Sequence, residues 1–303
     1  VLWSNDMAPL HLYRDREIEL HDERAGSIFR NADDDHGNGL DQRQLTRRYT
    51  EEAVAFLEAN RDRPFFLYVA HTFPHVPHFA SPEQAGRSAG GVYGDVVEDL
   101  DRSTGAILDA LERLGLAENT VVVVTSDNGA DYNGAPGPIR GRKGETYEGG
   151  QRVPMIVRWP GRILPGRVDE QMGMNIDLFP TLLSLAGVPP PPDRMIDGLD
   201  LTGYWRGVAT SPHSVLFYLS AVDGSLEAVR DARFKYRAES GDRGRSKPQL
   251  WRMDAGSGAE AHDLTALFPE DAARLAWRLE HFESELAQNP RGWRASEDTT
   301  GLE

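Results

Sequence analysis

The sequence predicts an α/β protein, a mixed sheet flanked by helices followed by a small C-terminal antiparallel sheet plus helix. Three observations predict it. Short apolar or β-branched runs, at 65–70, 120–125 and 155–157, have the pattern of buried strands. Segments with helical periodicity lie between and after them. Beyond about residue 205 the alternation gives way to short strand-like pieces separated by turns, and then to one last helix.

Each element has its own signal. Residues 49–60 place Tyr49, Ala53, Phe56 and Leu57 on one helical face, and Pro64 ends the segment. Phe65-Phe66-Leu67-Tyr68-Val69-Ala70 reads as a buried strand, and a loop rich in His and Pro follows from His71 to His78. Val97, Leu100, Thr104, Ile107, Leu111 and Leu114 recur at helical spacing across 93–114, with Gly115 suited to the position after the helix. Thr120–Thr125 is β-branched throughout and gives the clearest strand. Met155–Val157 is a shorter one, and Ile176–Ala186 a helix closed by Gly187 and the prolines at 189–192. Val215–Tyr218, Glu227–Arg230, Phe234–Tyr236 and Gln249–Trp251 are the later strand pieces, and 271–287 the final helix. Residues 1–45 read as polar and irregular. The resulting expectation is a larger α/β part over 1–205 and a small antiparallel subdomain over 206–303.

The 303 residues carry a formal charge of −15 and 39% hydrophobic residues. An acidic balance argues against general nucleic-acid binding, which needs a basic face. It leaves room for a small anionic substrate, because a site requires only local positive charge. With no cysteine, neither disulfides nor thiolate chemistry arise within these residues. No apolar run approaches the length of a transmembrane segment, and no leader pattern is present. Oligomeric state is open.

Asp127 and Asn128 follow the strongest strand, at the end where open α/β sheets place ligands. A carboxylate beside an amide oxygen suits Ca²⁺ or Mg²⁺. A strand-ending Asx turn is the alternative for Asp-Asn-Gly. His75 lies between Pro74 and Pro77 in the loop after 65–70, where flanking prolines restrict the backbone. A rigid loop with surface histidines is the plainer reading. Lys143 sits in a glycine-bounded segment, 141–150, that permits close approach of an oxyanion. It does not follow the phosphate-loop order, and a solvated basic turn is its alternative. The acidic run Asp33-Asp34-Asp35 fails as a calcium loop. With Gly39 at loop position 6, His36 falls at position 3 and Leu45 where a bidentate Glu is required.

As a set, these segments resemble the type I sulfatase family, arylsulfatase type, of the alkaline-phosphatase-like superfamily. The resemblance rests on Arg63-Pro64-Phe65-Phe66-Leu67-Tyr68 with the loop to Pro77, on Thr125-Ser126-Asp127-Asn128-Gly129, and on Lys143-Gly144 with Thr146-Tyr147-Glu148-Gly149-Gly150 and Val153-Pro154, in that order. Tyr93-Gly94-Asp95 with Glu98–Asp101, Ile176–Leu182, Asp197–Leu201, Ala228–Asp231 with Lys235-Tyr236, and Ser4–Met7 extend it over most of the chain.

The resemblance implies hydrolysis of a sulfate monoester to an alcohol or phenol plus sulfate. It implies Asp127 and Asn128 as metal ligands for Ca²⁺ (or Mg²⁺), Lys143 as a catalytic and substrate-binding residue on a sulfate oxygen, and His75 as a catalytic and substrate-binding residue at the leaving-group oxygen. It also implies a formylglycine nucleophile, made from Cys or Ser in a Cys/Ser-x-Pro-x-Arg motif, that this sequence does not contain. The expectation is therefore a C-terminal portion of such an enzyme, holding part of an active site whose formylglycine lies in a missing N-terminal region. A periplasmic or secreted location is the family's implication. Two other functions remain open at this point: a phosphonate or phosphodiester hydrolase of the same superfamily, and a non-catalytic fragment. Arg142 and Glu145 stand where the family commonly has Gly and Thr, at a position expected to form the substrate rim.

Overall fold

The structure, a computed structural model, describes residues 10–22, 41–238, 247–254 and 260–288. Two compact units divide the chain, Val1–Val121 and Val122–Glu303. The acidic run at 33–35 and the segment Ser4–Met7 lie outside the described residues.

The first unit begins with a hairpin, β1 (Leu10–Arg14) and β2 (Glu17–Asp22), where the sequence reading expects irregular chain. Asp15 takes φ 54° at its turn, a conformation that Asp tolerates better than most residues. The hairpin signal is the period-two alternation on either side of Asp15-Arg16, masked by the high polarity of the segment. Helices α1 (Leu45–Asn60) and α2 (Gly91–Arg113) pack on each other. Leu12, Leu45, Phe73, Ala80 and Val96 form the buried core between them and the hairpin.

The buried face of α2 includes Leu111 and brings Leu100 against the core, as expected, but it extends to residues the apolar spacing does not mark. Val97 is exposed, whereas Asp95, Val96, Asp99, Ser103, Ala110 and Leu111 are buried. The two carboxylates turn inward because they cap a loop. Asp95 accepts backbone N–H bonds from Gly86, Arg87 and Ser88 at 2.8–3.1 Å. Asp99 accepts from the Ser81 N–H at 2.6 Å and the Ser81 hydroxyl at 2.7 Å. Buried acids are tolerated only with such partners, and a hydrophobicity pattern cannot report them. The segment 65–70 forms no strand: Phe66 and Tyr68 are exposed, and it pairs with no strand among the described residues.

The second unit opens with β3 (Val122–Thr125), paired antiparallel with β4 (Met155–Arg158) in the register Val122↔Arg158 to Thr125↔Met155. Between them lies the glycine-rich loop that ends in the short α3 (Glu148–Gln151). Helix α4 (Leu178–Ala186) ends on Gly187 in the left-handed region, as the sequence predicts. The short α5 (Thr202–Trp205) follows.

Then comes a four-stranded antiparallel meander in chain order: β5 (Leu216–Leu219), β6 (Leu226–Arg230), β7 (Phe234–Arg237) and β8 (Gln249–Arg252). Helix α6 (Pro269–Gln288) covers one face. Strand alternation sorts the side chains by chemistry. Val229, Phe234 and Leu250 meet Ala272, Leu275 and Leu279 of α6 in an apolar core, with Phe217 stacked on Phe282 at 3.8 Å between ring centroids. The opposite face carries Tyr218, Arg230, Lys235, Arg237 and Trp251, and its contacts belong to the glycine-rich loop. The α/β class, with helices and a small C-terminal antiparallel sheet plus helix, is as expected. Among the described residues no helix is long and apolar enough to cross a membrane.

Two measurements check this packing. Leu275 is fully buried, so Leu275→Ala should cost about 2–5 kcal/mol in a denaturant melt. The N–H bonds from Ser88 and Gly86 outweigh burial and hold Asp95 below the usual aspartate range. A depressed folded-state pKa stabilises the native state above the unfolded value and loses that contribution as pH falls through the folded value. Melts should therefore show acid destabilisation beginning below about pH 4, smaller in Asp95→Asn than in the unmodified chain.

Candidate active site

The end of β3 and the glycine-rich loop are joined by backbone hydrogen bonds. Gly129 N–H donates to the Gly150 carbonyl at 3.0 Å, and Lys143 N–H donates to the Ala130 carbonyl at 2.9 Å. Gly149 N–H donates to the Arg140 carbonyl at 2.6 Å, closing the loop on itself. Such close approach excludes side chains. A Cβ on Gly129 would lie 2.0 Å from the Gly149 oxygen, one on Gly149 2.2 Å from the Gly141 oxygen, and one on Gly150 2.3 Å from the Glu145 oxygen. The glycines are thus required by space, a reason distinct from ligand approach.

Asp127 and Asn128 belong to the strand end joined in this knot, and Lys143 to the loop. Asp127 and Lys143 are exposed and Asn128 is half-buried. The carbonyl of Ser126, just before the pair, accepts from the Asn175 side-chain amide at 2.8 Å, which fixes the strand end from a third direction. The Asn128 amide nitrogen donates to the Asp127 carboxylate. The pair fits a hard cation in its donor chemistry. Turning the amide brings its oxygen beside the carboxylate, two acceptors that repel unless a cation lies between them. They supply two oxygen ligands of the six to eight that calcium takes. Among the described residues no group of three or more His, Asp or Glu is arranged to hold a metal. The remaining ligands would have to come from elsewhere.

Arg142 and Glu145, expected at a substrate rim, organise the loop itself. The Arg142 guanidinium donates to the carbonyls of Asp131 and Gly134, the latter at 2.9 Å, and lies 5.3 Å from the Tyr132 ring centroid. Glu145 accepts from the Arg142 N–H at 2.9 Å.

Behind the loop, Glu148 is buried against the charged face of the meander. Its carboxylate accepts from Tyr218 Oη at 2.7 Å, from Arg230 at 2.7 Å and from Lys235 Nζ at 3.1 Å. Burial raises the Glu148 carboxyl, but Lys235 and Arg230 together hold it below its ordinary range. Burial likewise pushes the Glu260 carboxyl up, and the same lysine only partly offsets it. This cluster has no counterpart in the sequence reading, which names Glu148 and Lys235 only as members of matching segments. The signal available was a lysine between Phe234 and Tyr236, on a strand too apolar for an idle charge.

His75 belongs to the other unit. Its Nδ1 lies 2.7 Å from the Val76 carbonyl. A carbonyl only accepts, so Nδ1 carries the hydrogen of this bond. The peptide bonds Phe73–Pro74 and Val76–Pro77 on either side are both cis. His78 Nε2 meets the Pro74 carbonyl at 3.0 Å, and its ring packs edge-on against Tyr93. His71 is largely buried near Ser103, which lowers its proton affinity. The loop histidines are thus tied into the unit rather than gathered as metal ligands.

Known proteins agree with the resemblance read from the motifs. The family model described as Sulfatase matches residues 14–188. Steryl-sulfatase of Rattus norvegicus is 47% identical over 198 residues, which are 60% of this chain and 34% of that protein. N-acetylgalactosamine-6-sulfatase of Mus musculus is 49% identical over 165 residues, 52% of this chain and 32% of that protein. Among solved structures, one from a study of glycosaminoglycan metabolism in Bacteroides thetaiotaomicron superposes with a TM-score of 0.70 at 28% identity, covering 82% of this chain and 56% of that one. The chain therefore spans about a third of the length of the curated relatives it matches.

The glycine knot can be tested directly. Gly149→Ala would force Cβ against two backbone oxygens, at 2.2 and 2.6 Å. The expected result is a loss of at least about 2 kcal/mol and faster hydrogen exchange across 126–150. Gly105→Ala, with nothing near its Cβ, serves as the control. With the family model matching more than half of its length, this chain is a member of the sulfatase family.

Proposed function

We propose that this chain carries the cation- and anion-binding part of a sulfuric ester hydrolase active site. The observation that carries the reading is the pairing of the Asp127-Asn128 strand end with the Lys143 segment by the Gly129–Gly150 and Lys143–Ala130 backbone bonds. Two hard oxygen ligands and an ammonium are thereby mounted on one rigid piece of backbone. That is the arrangement needed to gather negative charge on a transferring sulfuryl group.

In this reading Asp127 and Asn128 hold Ca²⁺ (or Mg²⁺), and a bound cation supplies charge stabilisation to the sulfuryl oxygens. Lys143 binds a sulfate oxygen and offsets the charge that builds on it. His75, carrying a second proton on Nε2 while Nδ1 stays on the Val76 carbonyl, delivers that proton to the departing oxygen, so that a small sulfated substrate yields an alcohol or phenol and sulfate. The sequence holds no Cys and no Ser-x-Pro-x-Arg. A formylglycine nucleophile would accordingly come from residues outside these 303.

The test uses a chain extended to the length of its relatives and an aryl sulfate as substrate. Turnover should require Ca²⁺ or Mg²⁺ and disappear with a chelator. Lys143→Ala, Asp127→Asn and His75→Ala should each lower kcat/KM by about 10²–10⁴-fold. Retention of activity within tenfold in Lys143→Ala and Asp127→Asn would remove the basis of the reading. Preferential hydrolysis of a matched phosphonate ester would replace the substrate class.

A further inference from the structure

The glycine-rich loop has little apolar material with which to anchor itself. Four of its ten residues between 141 and 150 are glycine, and Tyr147 is its one large ring. Its attachments are instead polar, and they converge on one side chain. Lys235 Nζ, fully buried, donates to the Thr146 carbonyl at 2.7 Å and to Glu148 at 3.1 Å, and pairs with Glu260 at 2.7 Å. It also lies 4.0 Å from the Tyr218 ring centroid. Glu260 in turn accepts the Glu148 backbone N–H at 2.9 Å, so the start of α3 is held from both sides.

Flanking contacts repeat the pattern. Thr146 Oγ1 donates to Glu227, which pairs with Arg237 at 3.0 Å. Arg237 reaches the Tyr147 hydroxyl at 3.1 Å, and the Arg140 guanidinium lies 4.0 Å from the Tyr147 ring centroid. The charges of the inner group balance, with Lys235 and Arg230 against Glu148 and Glu260.

We propose that Lys235 is a positioning residue, which through Thr146 and Glu148 holds the loop at 141–150, and with it Lys143, against the end of β3. The assignment rests on the reading of Lys143 and Asp127-Asn128 as an anion and cation site. A contact meant only for stability would be served as well by apolar residues, since a buried ion group rarely adds net stability over a packed hydrophobic one. What the lysine adds is direction. Its donors meet fixed acceptors, a main-chain carbonyl and a carboxylate, at two neighbouring points of the loop. These specify where the chain must turn back into α3, a few residues after Lys143. The meander thus serves as a template for the site, with its apolar face closed by α6 and its charged face set against the loop.

Amide hydrogen exchange on the 303-residue chain tests this, read at Gly129, Lys143, Gly149 and Gly150 and, for comparison, in β6–β7. Lys235→Met removes the donors. Lys235→Met combined with Glu260→Gln removes one charge of each sign, keeping the buried group neutral and the fold secure. Both should raise exchange at the four site amides roughly tenfold or more, the loss of one charge-assisted hydrogen bond. Amides of β6 and β7 should stay within about threefold, and Lys235→Arg should recover part of the protection. Ca²⁺, added alone, should protect Gly129 in the unmodified chain and do so less in the variants. Unchanged site amides in the neutral double variant, or a uniform rise that includes β6–β7, overturns the assignment. If Ca²⁺ protects nothing in the unmodified chain while the site amides still respond to Lys235, the metal reading fails and the positioning role stands.

Discussion

The site depends on the approach of backbone to backbone at Gly129, Gly149 and Gly150, where a single added carbon would overlap a carbonyl oxygen. Because peptide groups rather than side chains make these contacts, the strand end and the loop share one rigid geometry. Asp127, Asn128 and Lys143 inherit it. Their side chains project from a frame joined by main-chain hydrogen bonds. This is the kind of support that lets exposed charged groups act at defined positions without being buried themselves.

Around that knot, the two faces of the meander divide the work. Toward α6 the interactions are apolar and non-directional, and they hold the sheet together. Toward the loop they are ionic and directional, with Glu148 shared among Tyr218, Arg230 and Lys235. Isolated charges at such depth would be prohibitive, and mutual pairing removes most of that cost. The same logic operates in the first unit, where Asp95 and Asp99 are buried because they collect the N–H groups of a loop. In both units acidic residues give shape to chain segments that lack hydrophobic anchors of their own.

How much of this was legible follows from the kind of interaction. The β-branched strand at 122–125, the helix stopped by Gly187 and the alternating strands before α6 rest on local patterns, and they stand where the sequence places them to within a few residues. The motif residues Asp127, Asn128 and Lys143 could be named, but their mutual attachment could not, since it is made by peptide groups that carry no sequence mark. The inward turn of Asp95 and the burial of Lys235 were hidden because charge is read as a sign of exposure. The β1–β2 hairpin is concealed for the same reason, its alternation lying under polar residues. Phe65–Ala70 shows the converse. Its apolar pattern is a strand's, but a strand also needs a partner, and none lies among the described residues.

In the proposed enzyme the end of β3 and the glycine-rich loop form one site for a cation and an oxyanion. A crystal structure of a chain extended to the length of its relatives, grown with Ca²⁺ and sulfate, tests it most directly. Ca²⁺ should lie about 2.3–2.6 Å from oxygens of both Asp127 and Asn128, with the Lys143 ammonium on a sulfate oxygen beside it. A cation bound elsewhere, or Lys143 turned to solvent while sulfate occupies the site, would contradict it.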